Sequence, residues 1–227
     1  MIDIYEYEKQ LYKKGIKFIG GVDEVGRGPL VGPVVAACCV LPPDFILEGL
    51  TDSKKLSEKK RNIFNEYIKQ HAVAYAIAEV SPEKIDEINI YEATKVAMKE
   101  AINEVRKQVN LEHVLIDAMP LKLDIETTSI IKGDMKSISI AAASVLAKVY
   151  RDDLMYKLDE KYPEYGYKSH KGYPTKKHIE AINRYGLIEG YRKTYGPVKN
   201  IIEKECWYEY RDNKTRKIRN ELLYFRL

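Results

Sequence analysis

The sequence has few cysteines, and none of its apolar stretches is long enough to cross a bilayer. Three of its 227 residues are cysteines, Cys38, Cys39 and Cys206, and their spacing is not that of a zinc site. Three thiols also make a poor disulfide framework, so we expect a reducing, cytoplasmic setting. The segment MIDIYEYEKQLYKKG is charged throughout and has no signal-peptide core. The sequence therefore argues against a secreted disulfide scaffold, a zinc module and a membrane protein.

The sequence also lacks the common phosphate-binding fingerprints. Its glycine-rich turn, GRGPLVG at residues 26–32, places Gly32 one residue late for G-x-G-x-x-G. A β-branched segment follows the turn instead of a helix, and no G-x-x-x-x-G-K-[ST] pattern occurs in the chain. Arg27 between two glycines is nevertheless suited to phosphate, because glycines allow a ligand to approach the backbone closely.

The composition is that of a globular α/β protein. Hydrophobic residues make up 45% of the chain and charged residues 32%, which is typical of a folded domain. Two apolar runs on either side of the glycine-rich turn predict a hairpin, and residues 71–81 predict a third strand. Strands and helices then alternate up to a long helix over residues 136–162. This order predicts a mixed β-sheet flanked by helices, with antiparallel leading strands.

Positive charge is concentrated in one stretch of the chain. The net charge is only +4, but residues 165–199 contain eight lysines or arginines, two glutamates and six tyrosines. We therefore predict a main domain over 1–160 and a basic, tyrosine-rich helical subdomain over 161–227. Such a surface suits duplex phosphates, and the alternative is a solvated helix face with core tyrosines. His170 and His178 are expected to be polar surface residues or neighbours of phosphates.

Four acidic residues stand at the ends of predicted elements, beside apolar or glycine-rich sequence. They are Asp23, Glu24, Asp117 and Asp134. Asp117 ends its own strand, where ligand sites collect in α/β sheets. Asp134 ends a further strand predicted over 127–134, and it could also cap the following helix. A cap or an edge-strand charge would explain any one of them alone.

As a group, the four carboxylates point to a cation. Neighbouring carboxylates repel each other unless a cation neutralises them. An oxygen-only cluster without His or Cys favours Mg²⁺ or Mn²⁺ over zinc, and two such ions can support in-line displacement at phosphorus. From spacing alone, the metal hypothesis is favoured only modestly over the structural one.

Five sequence blocks resemble the successive motifs of ribonuclease HII, the type 2 ribonuclease H. They are GVDEVGRGPLVGPVVAA, DSKKLSEKKR, IDAMP, GDMKSISIAAASVLAKVYRD and SHKGYPTKKH, and they follow the family's order. The resemblance implies a ribonuclease H-like fold with a C-terminal helical extension, in which 1–160 is the catalytic domain. It also implies an Mn²⁺- or Mg²⁺-dependent endonuclease. Such an enzyme cleaves the RNA of RNA–DNA hybrids and cuts duplex DNA on the 5′ side of single ribonucleotides, leaving a 5′-phosphate.

The resemblance also implies the roles of individual residues. The catalytic, metal-binding carboxylates match Asp23, Glu24, Asp117 and Asp134. Asp152 is an alternative to Asp134, although a helix pair with Lys148 is the interpretation we favour for it.

The remaining matches concern the substrate. Gly26, Arg27 and Gly28 match the turn that recognises the ribose 2′-hydroxyl, and Tyr173 matches the tyrosine that stacks on the adjoining sugar. A block near the substrate strand matches Asp52, Ser53 and Lys54. We expect Lys54 to contact a phosphate.

Two other functions are compatible with the same surface. One is a nucleic-acid-binding module without catalysis, against which the presence of all four carboxylates argues. The other is a DNA nuclease of the same fold, which an all-DNA duplex compared with one containing a single ribose would distinguish. We expect a monomer that acts on nucleic acid and does not contact membranes.

Overall fold

The computed structural model describes residues 3–51 and 53–204, in which five strands form one mixed sheet. The strands are β1 (Ile19–Val25), β2 (Val34–Val40), β3 (Ala74–Val80), β4 (His113–Asp117) and β5 (Glu126–Ile130). Their order across the sheet is β3-β2-β1-β4-β5. β2 is antiparallel to β1 and β3, whereas β1, β4 and β5 run parallel. The predicted mixed sheet with antiparallel leading strands is confirmed.

Helices cover both faces of this sheet. The described helices include α1 (Glu6–Lys13), α2 (Glu58–His71), α3 (Pro82–Arg106), α4 (Ile138–Lys161), α5 (Tyr167–His170) and α6 (Lys176–Tyr185), and residues 196–204 are also helical. α3 packs on one face, while α2 and α4 pack on the other. In the part of the chain that the structure describes, no helix has the length and apolar character needed to span a membrane.

Hydroxyl side chains set the starts of the longer helices. Ser57, Ser81, Ser137 and Thr175 each accept a hydrogen bond from a backbone N–H in the first turn of α2, α3, α4 and α6, respectively. Such caps satisfy N–H groups that have no partner inside the helix.

The structure corrects the predicted end of the strand before α4. β5 ends at Ile130, and the cap of α4 is Ser137 rather than Asp134. Lys132 adopts a left-handed conformation with φ 58°, which turns the chain out of the strand. Asp134 therefore lies in a 3₁₀ turn, Gly133–Met135, between the strand and the helix.

A close contact between β1 and α4 determines where the end of β1 lies. A Cβ atom on Gly21 would overlap the backbone of Ser139 and Ile140 in the first turn of α4. Glycine is therefore the residue that allows the strand and the helix to approach so closely. This contact brings α4 directly over the segment that continues into Asp23 and Glu24.

Residues after α4 pack around an apolar cluster of their own. Tyr165, Tyr167 and Tyr191 are buried there, which confirms that several tyrosines of the basic stretch are core residues. Leu30 and Val31, from the loop that joins β1 to β2, are buried in the same cluster. The C-terminal helices are thus packed onto the glycine-rich turn.

His170 and His178 are buried in this region, so the prediction that they lie at the surface is wrong. Their rings stack with centroids 4.2 Å apart. Nδ1 of His178 lies 2.9 Å from the Tyr173 carbonyl, and its Nε2 lies 2.8 Å from the Tyr191 hydroxyl. Burial lowers the pKa of His178 to about 4, so the ring is neutral near pH 7. The buried imidazole helps to hold the loop that contains Tyr173.

Candidate active site

Asp23 and Asp117 lie side by side because β1 and β4 are parallel neighbours. Val22 pairs with Ile116 in this ladder, so each aspartate comes one residue later: Asp117 ends β4, and Asp23 lies two residues before the end of β1. Val22 and Ile116 face α3. Side chains alternate along a strand, so the two aspartates face α4 and Glu24 leaves β1 on the opposite side.

The three carboxylates influence one another through their charges. Burial raises the pKa of Asp23 well above its ordinary value, and the charges of Glu24 and Asp117 raise it further. Burial also raises the pKa of Glu24, while Arg27 and Lys54 lower it and Asp117 raises it. Arg27 Nη1 lies 3.7 Å from Glu24 Oε1. A divalent cation at this end of the sheet would relieve the repulsion among these anions.

Asp134 is tied to this group through its neighbouring residue. The amide of Gly133 donates to Asp117 Oδ1 at 2.6 Å, and Asp134 is itself buried. The 3₁₀ turn therefore fixes the backbone beside Asp134 to the carboxylate at the end of β4.

Asp152 lies in α4 in a different environment. Its Oδ1 is 2.6 Å from Lys148 Nζ, and its Oδ2 is 3.6 Å from Arg61 Nη2. The predicted helix pair between Lys148 and Asp152 is confirmed. Two cations already neutralise this carboxylate.

Within residues 3–51 and 53–204, no group of three or more acidic, histidine or cysteine side chains is already arranged to bind a metal ion. One oxygen of Asp23 accepts from the amide of Glu24 at 2.8 Å, and one oxygen of Asp117 accepts from Gly133. The side-chain atoms available to bind a metal ion are nevertheless all carboxylate oxygens, the ligand type that Mg²⁺ and Mn²⁺ prefer. The chemistry of the group thus fits a divalent ion, although side-chain movement would be needed to bring the oxygens together around one.

Ser53 and Lys54 occupy different environments, although they are neighbours in the 3₁₀ turn Ser53–Lys55. Ser53 is only 2% exposed, and its hydroxyl lies 2.7 Å from that of Ser144. Ser144 in turn acts on Asp23, because its side chain lowers the pKa of that carboxyl against the larger effect of burial. Lys54 is exposed, and its charge acts on Glu24. Asp52 lies outside the described residues.

The glycine-rich turn meets Tyr173 from the C-terminal region. A Cβ atom on Gly28 would lie 3.2 Å from Cε1 of the Tyr173 ring, and Tyr173 is 41% exposed. The amide of Leu30 donates to the Gly172 carbonyl at 2.8 Å, which holds the two loops together. The structure therefore places Tyr173 against the predicted ribose-recognising turn.

Sequence reasoning missed two buried arginines that fix these loops. Arg151 of α4 donates to the carbonyls of Lys171 at 3.0 Å and of Val31 at 3.3 Å. Arg192 donates to carbonyls of the glycine-rich turn itself. Both arginines are 0% exposed. Apart from the Tyr195 hydroxyl, which accepts from Arg192, their partners are backbone carbonyls distant in sequence, so no local pattern distinguishes them from surface arginines.

Comparisons with known proteins identify the family. A family model for ribonuclease HII matches residues 20–195. A ribonuclease HII from Bacillus mycoides (strain KBAB4) is 53% identical over 203 residues, which is 89% of this chain and 78% of the relative.

Solved structures agree with the fold. The structure of ribonuclease H2 from Pyrococcus horikoshii OT3 aligns with a TM-score of 0.70 at 28% identity, covering 82% of this chain and 98% of that chain. Bst-RNase HIII in complex with Mn²⁺ aligns with a TM-score of 0.63 at 16% identity, covering 82% and 70%. The ribonuclease H-like fold implied by the sequence is thus confirmed. The chain belongs to the ribonuclease HII family, the divalent-metal-dependent endonucleases that hydrolyse the RNA of RNA–DNA hybrids.

Proposed function

We propose that this ribonuclease also cuts duplex DNA on the 5′ side of a single embedded ribonucleotide, and that it leaves a 5′-phosphate by a two-metal-ion mechanism. The observation that supports this most strongly is the position of the glycine-rich turn, which begins two residues after Glu24 and lies against Tyr173. RNA differs from DNA at the 2′-hydroxyl. A junction-specific enzyme therefore needs its ribose contacts beside its catalytic carboxylates.

The carboxylates have separate roles in this proposal. Asp23, Glu24 and Asp117 would hold the divalent ions, Mn²⁺ or Mg²⁺, and Asp134 would complete the second site or position water. Two such ions, when bound, would activate a water and offset the charge that develops on the leaving 3′ oxygen. Asp134 is a better fourth member than Asp152, because Lys148 and Arg61 already neutralise Asp152.

Substrate recognition would combine backbone contacts from the glycine-rich turn, packing against the Tyr173 ring and phosphate contacts from basic side chains. Backbone groups of Gly26, Arg27 and Gly28 would contact the ribose, and the exposed Tyr173 ring would pack on the adjoining sugar. Lys54 and the basic subdomain over 161–227 would contact phosphates; residues 205–227 of that subdomain lie outside the described residues. Because Ser53 is buried against Ser144, we assign it support of Asp23 rather than direct substrate contact.

We further propose that the protein acts as a monomer in the cytoplasm. One chain supplies all four carboxylates, so cleavage requires no residue from a second copy. Cys38 and Cys39 are both buried as free thiols, a state that a reducing compartment preserves.

Matched duplexes of one sequence test the proposed activity. We expect cleavage of an RNA–DNA hybrid and of a DNA duplex with one ribonucleotide when Mn²⁺ or Mg²⁺ is present, and none when the metal is chelated. Cuts mapped by denaturing electrophoresis should lie on the 5′ side of the ribonucleotide. Equal cleavage of an all-DNA duplex would instead identify a DNA nuclease, and metal-independent binding without cleavage would identify a binding module.

Tyr173→Ala should weaken cleavage at a single ribonucleotide more than cleavage of a continuous hybrid. Beside a single ribonucleotide the adjoining sugar is a deoxyribose that can pack on the ring, whereas in a continuous hybrid that sugar carries a polar 2′-hydroxyl, so the packing contact matters most in the first case. We expect about a tenfold loss of kcat/KM for the single ribonucleotide, since one stacking contact contributes about 1–3 kcal/mol. Tyr185→Ala is the matched control, because Tyr185 is an exposed tyrosine of α6. Equal losses on both substrates would contradict the stacking role.

A further inference from the structure

Arg192 places a buried positive charge directly behind the glycine-rich turn. Within the described residues its guanidinium makes five hydrogen bonds, four of them to backbone carbonyls. Nη2 donates to Gly26 at 2.6 Å and to Gly32 at 2.8 Å, Nε donates to Gly32 at 3.0 Å, and Nη1 donates to Arg27 at 3.0 Å. A guanidinium has five N–H donors in a fixed planar fork, which a lysine ammonium cannot reproduce.

Tyr195 strengthens the hold on the same turn. Its hydroxyl accepts from Arg192 Nη1 at 2.9 Å and donates to the Arg27 carbonyl at 2.6 Å. The Arg27 carbonyl therefore receives two hydrogen bonds from the C-terminal subdomain. The guanidinium carbon also lies 5.1 Å from the centre of the Tyr195 ring, so the two side chains fix each other.

The backbone around Arg192 is itself attached to the turn. The amide of Arg192 donates to the Leu30 carbonyl at 2.8 Å, and the amide of Gly32 donates to the Gly190 carbonyl at 2.9 Å. Val31 and Tyr191 form a β-bridge between these contacts. The backbone that carries the Arg192 guanidinium is therefore fixed relative to the turn.

These contacts determine where the amides of the turn point. A peptide unit is planar and trans, so its carbonyl and its N–H point in opposite directions. Because the Gly26 and Arg27 carbonyls are drawn towards Arg192, the N–H groups of Arg27 and Gly28 are directed away from it. Gly26 adopts φ +92° in this arrangement, a conformation that glycine permits and that external contacts must maintain.

We infer that Arg192, backed by Tyr195, is a positioning residue for ribose discrimination. By fixing two carbonyls, it orients the amides with which the turn recognises the 2′-hydroxyl. The inference rests on the proposed function of the turn. It also gives the C-terminal subdomain a second role, because the segment that would contact phosphates also sets the conformation of the ribose-contacting backbone.

The test is the preference in binding for a duplex with one ribonucleotide over an all-DNA duplex of the same sequence. Fluorescence anisotropy gives both dissociation constants with the metal chelated, so that no duplex is cleaved. We expect Arg192→Lys to lower the preference at least fivefold and Tyr195→Phe to lower it two- to threefold. The affinity for all-DNA duplex should stay within twofold of the original value. Arg106→Lys, at an exposed arginine of α3 outside that subdomain, should change neither constant.

A purely structural role for Arg192 would change both constants equally, because a smaller folded fraction binds less of either duplex. An unchanged preference in Arg192→Lys and Tyr195→Phe would overturn the inference, as would equal affinity of the unmodified protein for both duplexes. If thermal unfolding shows that Arg192→Lys does not fold, Tyr195→Phe decides. Failure of the proposed function appears separately, as absent cleavage of the ribonucleotide duplex by the unmodified protein with Mn²⁺.

Discussion

Asp117→Asn is expected to abolish cleavage of a ribonucleotide-containing duplex while leaving duplex binding intact. In the proposed site Asp117 holds a divalent ion, and metal stabilisation of the transition state is worth several kcal/mol. A loss of about 4 kcal/mol corresponds to about a thousandfold in rate. Single-turnover cleavage of a duplex with one ribonucleotide measures the rate, and anisotropy measures the binding.

The local structure makes this substitution informative. Asparagine is close in shape to aspartate, and its side-chain oxygen can still accept the hydrogen bond from Gly133. The lost charge is one that raises the pKa of Asp23, so the variant relieves repulsion, and its thermal unfolding midpoint should not fall. Asp124→Asn is the control, because Asp124 is an exposed residue paired with Arg106. Full activity of Asp117→Asn would refute the assignment of Asp117.

The sequence identifies the candidate carboxylates but does not show which of them are adjacent in the fold. Asp23 and Asp117 could be predicted at strand ends because apolar runs and glycines delimit the strands locally. Their adjacency depends on the parallel pairing of β1 with β4, which connects segments about ninety residues apart and follows from no local pattern. The position of the carboxylates beside apolar and glycine-rich sequence suggested a shared metal site, and the family resemblance supplied the substrate.

The missed features share a physical cause. Arg192, His170 and His178 satisfy their polar atoms largely with backbone carbonyls and, for His178, with a buried tyrosine hydroxyl. A basic or imidazole side chain in a charged stretch is usually exposed, and backbone carbonyls have no residue-specific signature in a sequence. Ser53 illustrates the same limit, because its burial depends on its contact with Ser144 of α4.

The two neighbouring glycines of β1, Gly20 and Gly21, should respond very differently to a single added methyl group. On Gly21 the new Cβ would overlap the backbone of Ser139 and Ile140, and a helix backbone cannot move aside without displacing α4. We expect Gly21→Ala to reduce the free energy of unfolding by about 3 kcal/mol or more, at the upper end of overpacking costs. For a chain of this size that lowers the unfolding midpoint by roughly 6–12 °C.

Gly20→Ala is the matched control, because alternation places its Cβ on the opposite face of the same strand. There the methyl group would lie 3.1 Å from Cys38 Sγ and 3.1 Å from Leu111 Cδ1, which are side-chain ends that can shift. Alanine also has less conformational freedom to lose on folding than glycine, so the net change should stay within about 1 kcal/mol. Calorimetric midpoints that fell equally in both variants would show that the β1–α4 contact is not the constraint. If the unfolding midpoint falls only in Gly21→Ala, the contact with the α4 backbone fixes how closely β1 approaches the helix. It then also fixes the position of Asp23 and of the proposed metal site.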